Sequence, residues 1–194
     1  MLMNKISNQR GAMFGLDARI ALAIFSGLTV IAGATLSSKM SSITGSALVD
    51  EIKKTGLAVE GIHLDLKNDL FKDLENSNES NAFQALYDVE MLNPGKPRSR
   101  WLGPYIKSRS NTHPSYGKMF IYKRGETFKE VCRAGSTCYL WLVMDLVPLK
   151  TLEYANDSYD GYNETLPDTH GRIQWEAGKD EDHRILWYRV GRSL

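Results

Sequence analysis

The sequence predicts an α+β protein in which one long N-terminal helix packs on a C-terminal antiparallel β-sheet. Three observations lead there. An apolar stretch from Met13 to Leu36 continues as helix-compatible sequence to about Leu66; four short segments rich in aromatic and β-branched residues fall in the last half; and polar or Pro/Gly-rich stretches separate the two. A helix first and strands in succession afterwards is the order expected when helix and sheet form separate layers.

The helix has two parts. Ile20 to Leu36 is seventeen residues, short of the roughly 20 that cross a bilayer. Counting from Met13 gives twenty-four, with Asp17 and Arg19 near the cytoplasmic interface. Ala23 and Gly27 form a small-xxx-small pair that allows close helix approach, although Gly and Ala are common in such helices anyway. Beyond this anchor, Ile43, Ala47, Ile52 and Val59 recur at spacings of four, five and seven residues, the mark of an amphipathic stem ending near Leu66. The expected organisation is a leader at 1–12, a transmembrane helix at 13–36, a stem at 37–66 and a globular head at 67–194. A head of that length is one ordinary domain.

In the head, Asn76 to Asn81 reads as a loop, Ala82 to Leu92 as a short helix, and Asn93-Pro94-Gly95-Lys96-Pro97 as a break. Strands are expected over Lys118–Lys123, Cys138–Leu146, Gly171–Glu176 and Arg184–Val190. Asp180-Glu181-Asp182 is a charged turn before the last of them. With 24 Lys+Arg against 23 Asp+Glu, the chain as a whole has no broad electrostatic pull toward nucleic acid or acidic lipid. Cys132 and Cys138 flank a polar turn beside an apolar strand, which predicts a disulfide in an oxidising compartment. The alternative is a pair of reduced thiols; without further Cys or His nearby they make no zinc site.

Asp17 is the residue that most needs a reason. A carboxylate near the head of a hydrophobic helix is costly and usually paired. If the chain is cut between Ala12 and Met13, the new α-amine of Met13 is a cation that a neighbouring subunit's Asp17 neutralises. At this point the sequence resembles the type IV pilin and type II secretion pseudopilin superfamily. The resemblance rests on Gln9-Arg10-Gly11-Ala12, the acidic fifth residue of Met13 to Asp17, and the apolar run Ile20 to Leu36. Asp17 stands where the family usually has Glu, the usual cut follows Gly, and no Pro interrupts the apolar run. Trp101-Leu102-Gly103-Pro104-Tyr105 and Asp160-Gly161 with Gly171-Arg172-Ile173 are similar to later pilin segments.

The resemblance implies a filament subunit with no catalytic role. It would be processed by a prepilin peptidase, handled by an inner-membrane assembly platform and polymerised with other pilin-like subunits. Its route runs from a bacterial inner membrane, with leader cytoplasmic and head periplasmic, to a periplasmic or extracellular filament. The rival for this N-terminus is an ordinary secretory signal, with Lys5, Arg10 and Arg19 as the basic flank and Ala32-Gly33-Ala34 as the cut site. That would give a periplasmic protein or enzyme.

Two constellations in the head bear on ligands. Asn156 to Glu164 gathers oxygen donors, Asp157, Asp160 and Asn163 among them, as a calcium site requires; some pseudopilins bind calcium in a comparable loop. The Asp-x-Asp-x-Asp-Gly spacing is absent, and a turn held by Asx hydrogen bonds is the simpler expectation, with no cofactor. Lys96, Arg98, Arg100, Lys107 and Arg109 are interleaved with Trp101 and Tyr105, the mixture that grips phosphates and stacks on bases in a DNA-uptake pilin. The expectation is instead an irregular surface segment whose aromatics pack on the helix. Ser115-Tyr116-Gly117-Lys118 and Lys54-Thr55-Gly56 match hydrolase motifs in the wrong order. No phosphate-binding or dinucleotide fingerprint accompanies them.

Overall fold

Helix α1 spans Gln9–Leu66, a single element of 58 residues. It ends because Lys67 turns into the left-handed region at φ 54°, with its N–H donated to the His63 carbonyl at 3.2 Å, a helix-terminating arrangement in which Gly is the usual residue. The computed structural model describes residues 9–133, 135–161 and 169–193, and within α1 the side chains of 9–17, 34, 35, 37, 38 and 41 lie outside that description. The chain divides into two units, Met1–Ser41 and Ser42–Leu194.

In the first unit the described side chains of α1 are exposed all around the helix. Phe25 is 73 % and Val30 72 % exposed, and their neighbours Ile24 and Ile31 are more than half exposed as well. Adjacent residues lie about 100° apart on a helix, so no single face accounts for the apolar surface. Among the described residues no helix is long and apolar enough to cross a membrane. The expected spanning segment 13–36 includes residues 13–17, 34 and 35, which fall outside the described side chains.

In the second unit the rest of α1 packs on the sheet. After it come α2 (Leu70–Asp73), α3 (Glu79–Gln84), a 3-10 turn at Val89–Met91 and α4 (Lys96–Arg100). Strands β1 (Thr112–His113), β2 (Gly117–Arg124) and β3 (Tyr139–Pro148) follow, then α5 (Leu149–Tyr159), β4 (Ile173–Ala177) and β5 (His183–Arg192). The sheet order is β1-β2-β3-β5-β4 and every pairing is antiparallel. Ile121 faces Leu142, and Leu142 faces Tyr188; this row joins Leu48, Ile52, Val59 and Ile62 of α1 in the main core.

The alternate residues form a second layer on the far side of the sheet, where Phe128, Trp141, Val143 and Trp187 are buried. Phe128 stacks on Trp187 with ring centroids 5.2 Å apart. This layer explains why β3 reads as a continuous apolar run instead of an alternating one: both its faces are covered.

Three glycines let α1 approach the head closely. A Cβ at Gly45 would collide with the Tyr154 ring of α5, one at Gly56 would stand 3.0 Å from the Tyr188 ring, and one at Gly61 3.2 Å from Tyr105. Cys132 and Cys138 form a disulfide.

Several expectations need correction. The helix expected over 82–92 is instead α3 at Glu79–Gln84 followed by the 3-10 turn, because Asn78 caps α3 by accepting the Asn81 N–H. The proline-rich break contains α4, with Pro97 in its first turn where a missing N–H costs nothing. The stretch 156–159, expected to be part of a turn held by Asx hydrogen bonds, is the last turn of α5.

Candidate functional site

The residues singled out in the sequence fall into separate regions. Ala12, Met13 and Asp17 have helical backbone, but their side chains, and leader residues 1–8 altogether, lie outside the described residues. What the structure describes next to them is the exposed apolar surface of 18–33. Its two hydroxyl side chains bond their own helix: Ser26 Oγ donates to the Leu22 carbonyl and Thr29 Oγ1 to that of Phe25, both at 2.7 Å. Each hydroxyl proton is thereby satisfied within the helix itself.

The basic segment is held from within. Arg98 donates from Nε to the Leu92 carbonyl at 2.8 Å and from its amino groups to the Glu90 carboxylate and carbonyl. Arg100 donates to the Leu66 carbonyl at 2.9 Å, capping the C-terminus of α1 where a cation complements the helix dipole. Lys96, Lys107 and Arg109 are exposed. Trp101 donates its indole N–H to the Ala85 carbonyl at 2.9 Å, and the Tyr105 hydroxyl donates to Asp65 of α1 at 2.6 Å. Burial, and then the Asp65 bond, push the Tyr105 hydroxyl up to about 12. Gly103 is squeezed between the two rings, with room for no Cβ. The Trp-x-Gly-Pro-Tyr stretch is thus a clasp that fastens the segment to α1.

The oxygen-rich stretch is also occupied internally. Gly161 ends α5 at φ 98°, and the preceding Asp160 aims its Oδ2 at two backbone N–H groups, Arg172 at 2.9 Å and Ile173 at 2.8 Å. The Asp-Gly…Gly-Arg-Ile pattern is therefore a brace: one carboxylate joins the end of α5 to the start of β4. Arg172 reaches the Tyr159 hydroxyl, which bonds that of Tyr188 at 2.8 Å. Asp157 lies on α5 itself, and Asn163 lies outside the described residues. Among the described residues no group of three or more His, Cys, Asp or Glu side chains is placed to hold a metal ion.

Asp160→Ala should lower stability by about 1–3 kcal/mol, the cost of leaving donors to a carboxylate unpaired. Chemical denaturation in the presence of a chelator measures it. A loss that appears only when calcium is supplied would make Asp160 a ligand instead of a brace.

A buried polar cluster at the end of α1 has no signature in the sequence. Asp69 caps α2 by accepting the Phe71 N–H at 3.1 Å and pairs with Lys123 of β2 at 2.5 Å. His63 lies buried beside them, and among the described residues its Nδ1 has no hydrogen-bond partner. Burial lowers its pKa; Asp69 opposes that shift and Lys123 adds to it.

The second unit is thus an α+β domain whose head is fastened to the end of α1 near Leu66, and the described residues of the first unit carry exposed apolar side chains. No protein-family model, curated protein or solved structure matches this chain.

Proposed function

We propose that this chain is a pilin-like subunit, made as a membrane-anchored precursor and polymerised through α1 into a type IV pilus or a type II secretion pseudopilus. The observation that carries the reading is the bare apolar surface of α1 between residues 20 and 36, where large side chains around the whole helix are more than half exposed. Contiguous apolar surface of this kind marks a membrane or protein interaction site. Lipid and a bundle of equivalent helices are the two surroundings that satisfy every side of a helix at once. The leader and the acidic Asp17 supply the rest: a prepilin peptidase cuts before Met13, and an inner-membrane platform draws the helix from bilayer to fibre. The function is structural, and the head projects from the fibre.

The DNA-uptake variant has less support. Arg98 is engaged by Leu92 and Glu90 and Arg100 caps α1, while Trp101 is bonded to the Ala85 carbonyl and Tyr105 to Asp65 of α1.

Intact-mass analysis of the protein extracted from membranes tests the reading. The expected mature N-terminus is Met13. A chain that starts at Thr35 would instead establish an ordinary signal peptide and a released periplasmic protein.

A further inference from the structure

A groove of about 870 Å³ opens beside the disulfide loop. Among the described residues its walls carry four cations, Lys72, Lys123, Arg124 and Arg133, against one acid, Glu79. Lys123 is neutralised by Asp69 beneath. Among the described residues no carboxylate pairs with Lys72, Arg124 or Arg133, and Arg124 lies over the Tyr122 ring at 5.3 Å. The groove is therefore built for an anionic occupant.

The same domain presents such a group. The turn between β4 and β5 carries Glu181 and Asp182, both exposed and without a side-chain partner among the described residues. Arg184, the nearest cation on β5, is turned back onto the carbonyl oxygens of Asp180, Glu181 and His183. Asp180 is bonded to His183.

The two features stand at opposite ends of one strand. β5 begins at His183, next to the turn, and its last residues lead into Ser193, which lines the groove; ten extended residues separate them by about 30 Å. That strand runs along the stem. At the turn end, Leu149 donates to the Asp182 carbonyl and Thr151 touches Thr44 of α1. Farther along, Gly56 meets Tyr188 and Gly191 lies near Glu60. At the groove end, Lys123 and Asp69 lie beside His63. The acidic turn and the cationic groove of one head thus face opposite ways along the stem axis.

We propose that the Glu181–Asp182 turn of one copy docks in the Lys72–Arg124–Arg133 groove of the next, a contact that rests on the filament reading and supplies its head-to-tail link. Two different patches at opposite ends make a heterologous contact, which does not close on itself and repeats along a fibre. Opposite charge across it fixes which end meets which and disfavours the reverse pairing, where like charges would meet.

The test uses the full chain and charge reversal on each side. A photo-crosslinking residue is placed at Ser193, on the groove wall, and copy-to-copy adducts with the β4–β5 turn are quantified by peptide mapping. Paired changes Glu181→Lys with Asp182→Lys, or Lys72→Glu with Arg133→Glu, should each cut the adduct about tenfold or more, because like charges are brought together. Combining all four should restore it to within about twofold, with thermal melts showing every variant folded. Adduct yield unchanged by either reversal, or not restored by the combination, would overturn the docking.

Asp17→Asn in parallel separates the two readings. If it stops filament formation while the reversals change nothing, the docking is wrong and the filament reading stands. If it leaves assembly intact while the reversals behave as expected, the docking stands and the amine–carboxylate account of polymerisation falls.

Discussion

Asp17→Asn should leave the head folded and the chain in the membrane yet reduce incorporation into filaments about a hundredfold or more. In the proposed fibre the Met13 amine of one subunit would lie against Asp17 of its neighbour, out of reach of water. Removing one member of a buried pair leaves an uncompensated charge at about 3–5 kcal/mol. At about 1.4 kcal/mol per factor of ten, that is roughly two to three and a half orders of magnitude in association. Asp17→Glu keeps the charge and should polymerise nearly as well as the native chain. Membrane insertion should survive both changes, since Asn makes the segment more apolar and Glu keeps the charge the native segment already carries. Pulse-labelled assembly, with leader removal confirmed by mass, is the measurement. Normal polymerisation of the Asn variant would mean that Asp17 does not set the register of subunits.

The strands were legible because their signal is local. Lys118–Lys123 and Arg184–Val190 carry aromatic and β-branched residues between turn formers, and the structure places β2 and β5 there with one or two residues added at their ends. The end of the stem was legible too: apolar periodicity stops at Leu66, and α1 stops with it. The Cys132–Cys138 disulfide followed from two cysteines flanking a polar turn.

What the sequence hid depends on residues far apart in the chain. α5 was missed because Asn156, Asp157, Ser158 and Asp160 are turn formers by preference. In the fold, burial of Leu152, Ala155 and Asn156 outweighs that preference and holds the helix to Tyr159. Arg100 read as part of a basic patch because nothing nearby indicates that it caps a helix ending at Leu66. Lys123 reads in the sequence only as the last residue of a strand; its partner Asp69 is 54 residues earlier. The glycines of the stem carried a signal that went unused: Gly45, Gly56 and Gly61 are costly inside a helix, and each lies under a tyrosine ring of the head. A helix that keeps such glycines is being approached closely.

The pair at the base of the stem sets the largest effect on the head itself. Asp69 is 4 % exposed and holds both the N-terminus of α2 and the end of β2. Lys123→Met keeps most of the side-chain stem but leaves that carboxylate without its cation, so stability should fall by about 3 kcal/mol. Lys123→Met with Asp69→Asn should recover much of the loss, because the uncompensated charge is then gone. His63 gives the pair a dependence on pH with a definite sign. Its folded pKa is lowered from 6.5, chiefly by burial, so the folded state binds the proton less readily than the unfolded chain. The native protein should therefore hold its stability above about pH 6.5 and lose it as pH falls through the folded value. In Lys123→Met the cation that opposes protonation is absent while Asp69 remains to favour it, so the acid-side loss should shrink. Urea unfolding of both proteins between about pH 5 and 8 reads the difference, over the range where histidine titrates. If the two curves run parallel, the interaction between His63 and the Lys123–Asp69 pair is negligible and the acid sensitivity of the head has another source.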